Sequence, residues 1–171
     1  MEKTLTDATL CFVLRGPEVL LARKARYIGE GLWNGYGGGI EEGDASPEEA
    51  TIRELAEECG VIGTLNDLEK IAIVDFNNTK SDGKKFTCRV HTYLLPIWSG
   101  QPRETEEMLE PTWFHRDALP LGEMMLADRY WVPRIFKESP FYAQVWYGPK
   151  QQTLLKDVEF SELKKYLRTG I

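Results

Sequence analysis

The chain has 171 residues, 42% of them hydrophobic and 28% charged, which is the balance of an ordinary globular protein. No apolar run approaches the length of a membrane span, and Met1-Glu2-Lys3-Thr4 leads into no signal-like apolar stretch. A net charge of −6 argues against binding a long nucleic-acid backbone, but permits a small polyphosphate that arrives with its own cation.

In chain order, Thr9 to Leu14 and Val19 to Arg23 read as strands around the turn Arg15-Gly16-Pro17. A glycine-rich stretch, Gly29 to Gly39, follows, interrupted by Trp33 and Tyr36. A helix is expected next. Ser46 suits the N-cap, Pro47 the first helical position, Glu49 a capping box, and Gly60 the left-handed stop. Lys70 to Phe76 and Phe86 to Trp98 are expected to pair as a hairpin across the polar turn Asn77 to Lys84, and Pro111 to His115 is a further strand. Asp128 to Glu138 reads as a second helix, Tyr142 to Tyr147 and Gln152 to Val158 as a last hairpin, and Ser161 to Arg168 as a short helix. Strands outnumber helices without a repeating strand-helix unit, so the expected fold class is α+β, with residues 1–171 forming a single domain. The three cysteines, Cys11, Cys59 and Cys88, form no CxxC pair. They are expected as buried free thiols in a reducing compartment, hence a cytoplasmic location. His91 and His115 have no metal-spaced partners.

At about 100° per residue, Glu57 and Glu58 fall within about 60° of Glu54 on either side, while Ile52, Leu55, Ala56 and Cys59 lie opposite. Like charges at these spacings repel by a few tenths of a kcal/mol per pair. Arg53, four residues from both Glu49 and Glu57, can steady them, and a divalent cation would offset far more. Oxygen-only ligands suit magnesium, manganese or calcium rather than zinc. Taken alone, the helix reads more readily as a solvated acidic face, and the preceding loop reverses that preference. In the preceding loop, Gly35-Tyr36-Gly37-Gly38-Gly39, the glycines allow close backbone approach, so a carbonyl can be offered to the acidic face.

Together these segments resemble the Nudix box, G-x5-E-x7-R-E-U-x-E-E-x-G-U, over Gly38 to Val61. Arg53 to Val61 fits throughout. Asp44 stands where the first glutamate is expected, and one extra residue separates it from Arg53. Trp33-Asn34-Gly35-Tyr36-Gly37-Gly38 and Asp128-Arg129-Tyr130-Trp131-Val132-Pro133 resemble segments of the MutT-type branch that hydrolyses oxidised purine nucleoside triphosphates. The resemblance implies a mixed β-sheet sandwiched between helices, and a magnesium cofactor, or manganese. Glu54, Glu57, Glu58 and the Gly37 carbonyl would be its ligands, with Glu107 a late metal-binding or base glutamate. Glu107 also reads as one charge in an acidic loop with Glu104, Glu106 and Glu110.

Arg53 would orient the glutamates, and Glu57 or Glu58 would act as base. Thr9, Lys24, Asn34, Gly37, Gly38, Met125 and Asp128 fall at substrate-side positions. Asn34 and Asp128 would read the purine edge, although the one also suits a turn and the other a helix N-cap. Ala127 replaces a second aspartate and Met125 a stacking tryptophan, which loosens the expected preference for an oxidised base. The expected partner is a small nucleotide rather than nucleic acid or membrane, and the expected state a monomer, with a dimer as the alternative. Hydrolysis of another nucleoside diphosphate derivative, such as ADP-ribose or a dinucleotide, and a non-catalytic nucleotide-binding module are the competing functions.

Overall fold

The computed structural model describes residues 4–138 and 140–163. Its sheet begins with β1 (Asp7–Arg15) and β2 (Glu18–Lys24), antiparallel at Leu14↔Val19 and Arg15↔Glu18. The short β3 (Trp33–Asn34) adds to β2. Helix α1 (Pro47–Cys59) follows, then β4 (Val61–Ile62), the hairpin of β5 (Glu69–Thr79) and β6 (Lys85–Leu95), β7 (Ser99–Gly100) and β8 (Met108–His115). After the single turn α2 (Asp128–Trp131) come β9 (Phe141–Trp146) and β10 (Glu159–Glu162). The strand order is β10-β9-β5-β6-β1-β2-β3, with β8 also on β2 and with β4 and β7 paired separately. β1 runs parallel to β6, and β9 parallel to β5. The sheet is therefore mixed, and the class is α+β.

Strand alternation divides the core into two layers. Phe12, Val19, Leu21 and Val74 pack with Trp131 of α2 and with Val132 and Ile135 just after it. Cys11, Val13, Leu20 and Ala22 pack with Leu55 and Cys59 of α1. The sheet thus lies between two helical layers, and each fully buried aliphatic side chain contributes roughly 1.5–3 kcal/mol. All three cysteines are buried free thiols.

Helix α1 starts and stops where its sequence indicates. The Ser46 hydroxyl accepts from the Glu49 N–H at 3.1 Å, and Gly60, at φ 77°, donates its N–H to Leu55 and Ala56. The Glu49 carboxylate, however, reaches the N–H of Ala45 rather than that of Ser46. The buried side also differs from the expected one. Ala50, Thr51, Leu55, Glu58 and Cys59 face inward and Ala56 is exposed, so Glu58 belongs to the inner edge of the helix.

Other boundaries move for local reasons. Asn77 to Thr79 extend β5, which shortens the turn to residues 80–84, and β6 ends before Pro96. Strand β8 begins at Met108, and Pro111 is accommodated at a register shift against β2, next to Glu110 at φ 52°. The helix expected over Asp128 to Glu138 becomes one α-turn followed by a 3-10 stretch, Val132–Phe136, because Pro133 supplies no N–H for the α ladder. Gln152 to Val158 is not a strand. It contributes only the bridge Tyr147↔Leu154, and β9 pairs instead with β10. Within Ser161 to Arg168, Ser161 and Glu162 belong to β10 rather than to a helix, and residues 164–168 lie outside the described residues.

Candidate active site

After β3 the chain doubles back along β1. Cys11 and Tyr36 exchange both backbone hydrogen bonds, and Thr9 N–H donates to the Gly38 carbonyl at 2.9 Å. This course brings the loop between β1 and α1 too closely for side chains. A β-carbon on Gly37 would lie 2.7 Å from the carbonyl carbon of Thr9 and 2.9 Å from Leu10 Cα, and one on Gly38 would lie 2.7 Å from Glu54 Oε1. The glycines are required by close approach, and the approach delivers the Gly37 N–H to Glu58 Oε1 at 3.0 Å.

Glu58 is only 6% exposed. Burial, then the charges of Glu54 and Glu107, push its pKa up to about 8 against the pull of the Gly37 N–H. The carboxyl groups of Glu54 and Glu58 meet side chain to side chain. Glu54 is also raised, chiefly by burial and against the opposing pull of Arg53. Glu57 does not join them. It is largely exposed and accepts from Arg53 at 3.2 Å. Among the described residues, no three acidic, histidine or cysteine groups converge into a ready-made cation cage. The fit to a divalent cation is nonetheless good. Two partly buried carboxylates pressed together leave negative charge that a cation would offset, and their oxygen donors suit magnesium or manganese.

Arg53 holds the outer side of this arrangement. It makes a bidentate pair with Asp44 (Nε at 2.9 Å, Nη2 at 2.8 Å) and also reaches Glu54 at 3.1 Å and the Gly39 carbonyl at 3.3 Å. Glu49, its expected i−4 partner, is occupied with Ala45. The guanidinium of Arg53 and the Glu41 N–H hold Asp44 down to about 2. Asp44, at the position where the resemblance expects a glutamate, therefore ties the loop to the helix. Glu107 is brought in from another segment: the Thr105 hydroxyl donates to the Glu58 carbonyl at 2.9 Å, and Glu107 itself accepts from Arg26 at 3.2 Å.

A cleft of about 510 Å³ opens beside Glu58 and Glu107. All seven expected substrate-side residues line it: Thr9, Lys24, Asn34, Gly37, Gly38, Met125 and Asp128. Asn34, one of the residues lining the cleft, accepts the Gly35 N–H on Oδ1 at 2.9 Å, as a turn residue does. Thr9 is 3% exposed, its hydroxyl has no hydrogen-bond partner among the described residues, and alternation puts it on the side of Cys11 rather than of Leu10. Lys24 Nζ donates to the Ile28 carbonyl at 2.6 Å. Asp128 is not an N-cap. Its Oδ1 accepts from the indole of Trp131 at 3.2 Å, and burial pushes its pKa up to about 7. Arg23 is structural: it stacks on Trp33 and pairs with Glu110 and Glu123.

Further residues line the cleft that sequence patterns did not single out. Phe76 and Tyr147 stack with planes 5° apart, and the Tyr147 hydroxyl accepts the Ala127 N–H at 2.8 Å. Gln151, at φ 56°, is held by Asn78 Oδ1 at 3.0 Å. Tyr27 stands at the edge of the cleft. The first three come from two segments distant in sequence, Phe76 from β5 and Tyr147 and Gln151 from the chain after β9, which the β5–β9 pairing brings together, so no local spacing could have marked them. For Tyr27 the available signal was an aromatic residue beside a basic one in a glycine-rich loop.

Comparison with known proteins gives the following. A model of the NUDIX domain matches residues 4–135. The chain is 35% identical over 133 residues to the oxidized purine nucleoside triphosphate hydrolase of Mus musculus, covering 78% of this chain and 81% of that protein. The figures for the protein of the same name from Danio rerio are the same. Among solved structures, that of a mutator MutT protein from Bacillus halodurans superimposes with a TM-score of 0.76 at 24% identity, covering 92% of this chain and 98% of that one.

Proposed function

The chain belongs to the NUDIX family and is a pyrophosphohydrolase, and from that membership we propose that it hydrolyses a purine nucleoside triphosphate, including oxidised forms, to the monophosphate and pyrophosphate with the help of magnesium. One observation carries this reading. The paired Glu54 and Glu58 carboxylates lie against the Gly37 loop at one side of a cleft that Asn34 and Asp128 also line. The mouse and zebrafish relatives are named for oxidised purine nucleoside triphosphates, which supports the substrate class.

Glu54 and Glu58 would hold the cation, and Glu107 would join them on leaving Arg26. When bound, it neutralises phosphate oxygens and lowers the pKa of the attacking water. Water adds across the phosphoanhydride, the bridging P–O bond breaks, and the proton passes to a carboxylate before reaching solvent. Glu58 is better placed for that proton than Glu57, because the Gly37 N–H fixes it at the cleft whereas Glu57 is turned to Arg53. Arg53 and Asp44 keep Glu54 from turning outward. In the cleft, Asp128 can donate a hydrogen bond while protonated and only accept once ionised, and Asn34 can do both. An unmatched base therefore leaves a buried polar group unpaired, which is the source of discrimination. Buried free thiols support a cytoplasmic setting, and a monomer acting on free nucleotides is the simplest assembly.

The test is a panel of 8-oxo-dGTP, 2-hydroxy-dATP, dGTP and ADP-ribose, with products identified with and without magnesium. Monophosphate and pyrophosphate from a purine triphosphate, lost on chelation, are expected. Release of two monophosphates from ADP-ribose alone would transfer the activity to the other substrate class. Nucleotide binding without turnover would leave a binding module.

Asp128 supplies a separate check through stability. Its folded pKa, about 7, lies above the ordinary 3.8 because the site is buried. Its contribution is therefore fully present below about pH 4, declines as pH rises, and is lost above about pH 7. Asp128→Asn keeps the acceptor for Trp131 and removes this loss. In thermal melts between pH 5 and 9, the variant should gain on the wild type as pH rises, by at most about 3 kcal/mol. Parallel melting profiles would count against a buried protonated acid at this position.

A further inference from the structure

Tyr27 combines two costs in the free protein. Its φ is 65°, a left-handed conformation that strains a β-carbon. Its ring is 80% exposed although it lines the cleft. Glycine tolerates this geometry, and the same loop uses it at Gly29 (φ 86°) and Gly31 (φ 80°). The loop is firmly braced. Glu30 N–H donates to the Tyr27 carbonyl at 3.1 Å, Leu32 N–H to Gly29 at 2.9 Å, and Lys24 Nζ to the Ile28 carbonyl at 2.6 Å. On one side, the Arg26 guanidinium lies 5.3 Å over the ring while bonding Glu107 at 3.2 Å. On the other, a β-carbon on Gly29 would lie 3.0 Å from the sulfur of Met125, so the loop also abuts the flexible thioether on the cleft wall.

A large apolar ring held in water on a strained, braced backbone costs stability in the free protein. Such conformations persist where the surroundings over-determine them, and they cluster at ligand clamps. We infer that Tyr27 is a substrate-binding residue whose ring stacks on the base of the bound nucleotide at the mouth of the cleft. This rests on the nucleotide reading of the site. Within a nucleoside triphosphate, the planar base is the part that gains from covering an apolar ring, whereas the phosphates gain nothing from it.

The experiment compares wild type, Tyr27→Gly and Tyr27→Phe by steady-state kinetics on dGTP, 8-oxo-dGTP and dCTP, together with thermal melts. Tyr27→Gly should raise KM for the purine substrates roughly tenfold, with kcat within about twofold, and KM for dCTP less, because a pyrimidine offers a smaller stacking face. Its melting temperature should be unchanged or higher, because glycine relieves the strained φ. Tyr27→Phe should match wild type in both measurements. A lower melting temperature with unchanged KM would make the ring a structural element and overturn the inference, as would equal effects on purine and pyrimidine substrates. Failure of the wild type to hydrolyse any nucleoside triphosphate would instead remove the underlying nucleotide reading, and the inference with it.

Discussion

Glu58→Gln is expected to lower magnesium-dependent turnover about a hundredfold to ten-thousandfold, the range for loss of a positioned acid or base, while leaving the fold intact. The substitution is nearly isosteric, and the amide oxygen can still accept the Gly37 N–H. What it removes is the capacity to ionise of a side chain that is 6% exposed and lines the cleft beside Glu54. Burial and the neighbouring carboxylates hold the Glu58 pKa near 8, above the ordinary 4.5. In magnesium-free buffer Glu58 therefore takes stability from the wild type as pH rises from about 4.5 to about 8, a loss the glutamine variant is spared. The variant should consequently melt no lower than wild type at pH 7 and higher at pH 9. Low activity with a preserved melt would place the loss in the chemistry. Full activity would remove Glu58 from the mechanism. Glu57→Gln, made in parallel, should cost less, because that carboxylate is exposed and engaged by Arg53.

The second large effect is expected from Gly37→Ala. The added methyl would press on the backbone of β1 at Thr9 and Leu10 rather than on a side chain that can turn aside. β1 is hydrogen-bonded to β6 through seven residue pairs, so the loop must give instead. Its retreat breaks the Thr9 N–H bond to Gly38 and draws the Gly37 N–H away from Glu58. A displacement on the order of 1 Å at a reacting centre can cost about a hundredfold in rate, and overpacking of this kind costs about 1–3 kcal/mol. Gly37→Ala should therefore lower both kcat and the melting temperature. Gly43→Ala is the control: a β-carbon there meets nothing within 4 Å, so neither quantity should change. Equal behaviour of the two variants would show that the close approach at Gly37 is not what holds the site.

Much of this architecture was legible in local patterns. Ser46, Pro47 and Gly60 marked the ends of α1, and the turn chemistry around residues 80–84 marked the β5–β6 hairpin. The glycine loop was legible as well, because only glycine admits a backbone so close to β1 and to Glu54. The second helix and the last hairpin were not. Pro133 breaks an apparently helical run after one turn, and the partner of β9 lies beyond an irregular segment whose composition suits a strand.

The sequence by itself determined the chemistry available to this protein. Residue type and spacing put three carboxylates on neighbouring helical turns, beside glycines that only a close backbone approach requires. Tertiary structure alone decided which of those carboxylates matter together. A helical period gives the angle between Glu57 and Glu58 but not which of them meets the wall. Packing of Leu55 and Cys59 against the sheet turned Glu58 inward onto Gly37 and left Glu57 with Arg53. The far side of the cleft was likewise beyond local reading, because Phe76, Asp128, Tyr147 and Gln151 become neighbours only through the parallel pairing of β5 with β9 and the packing of α2 against them.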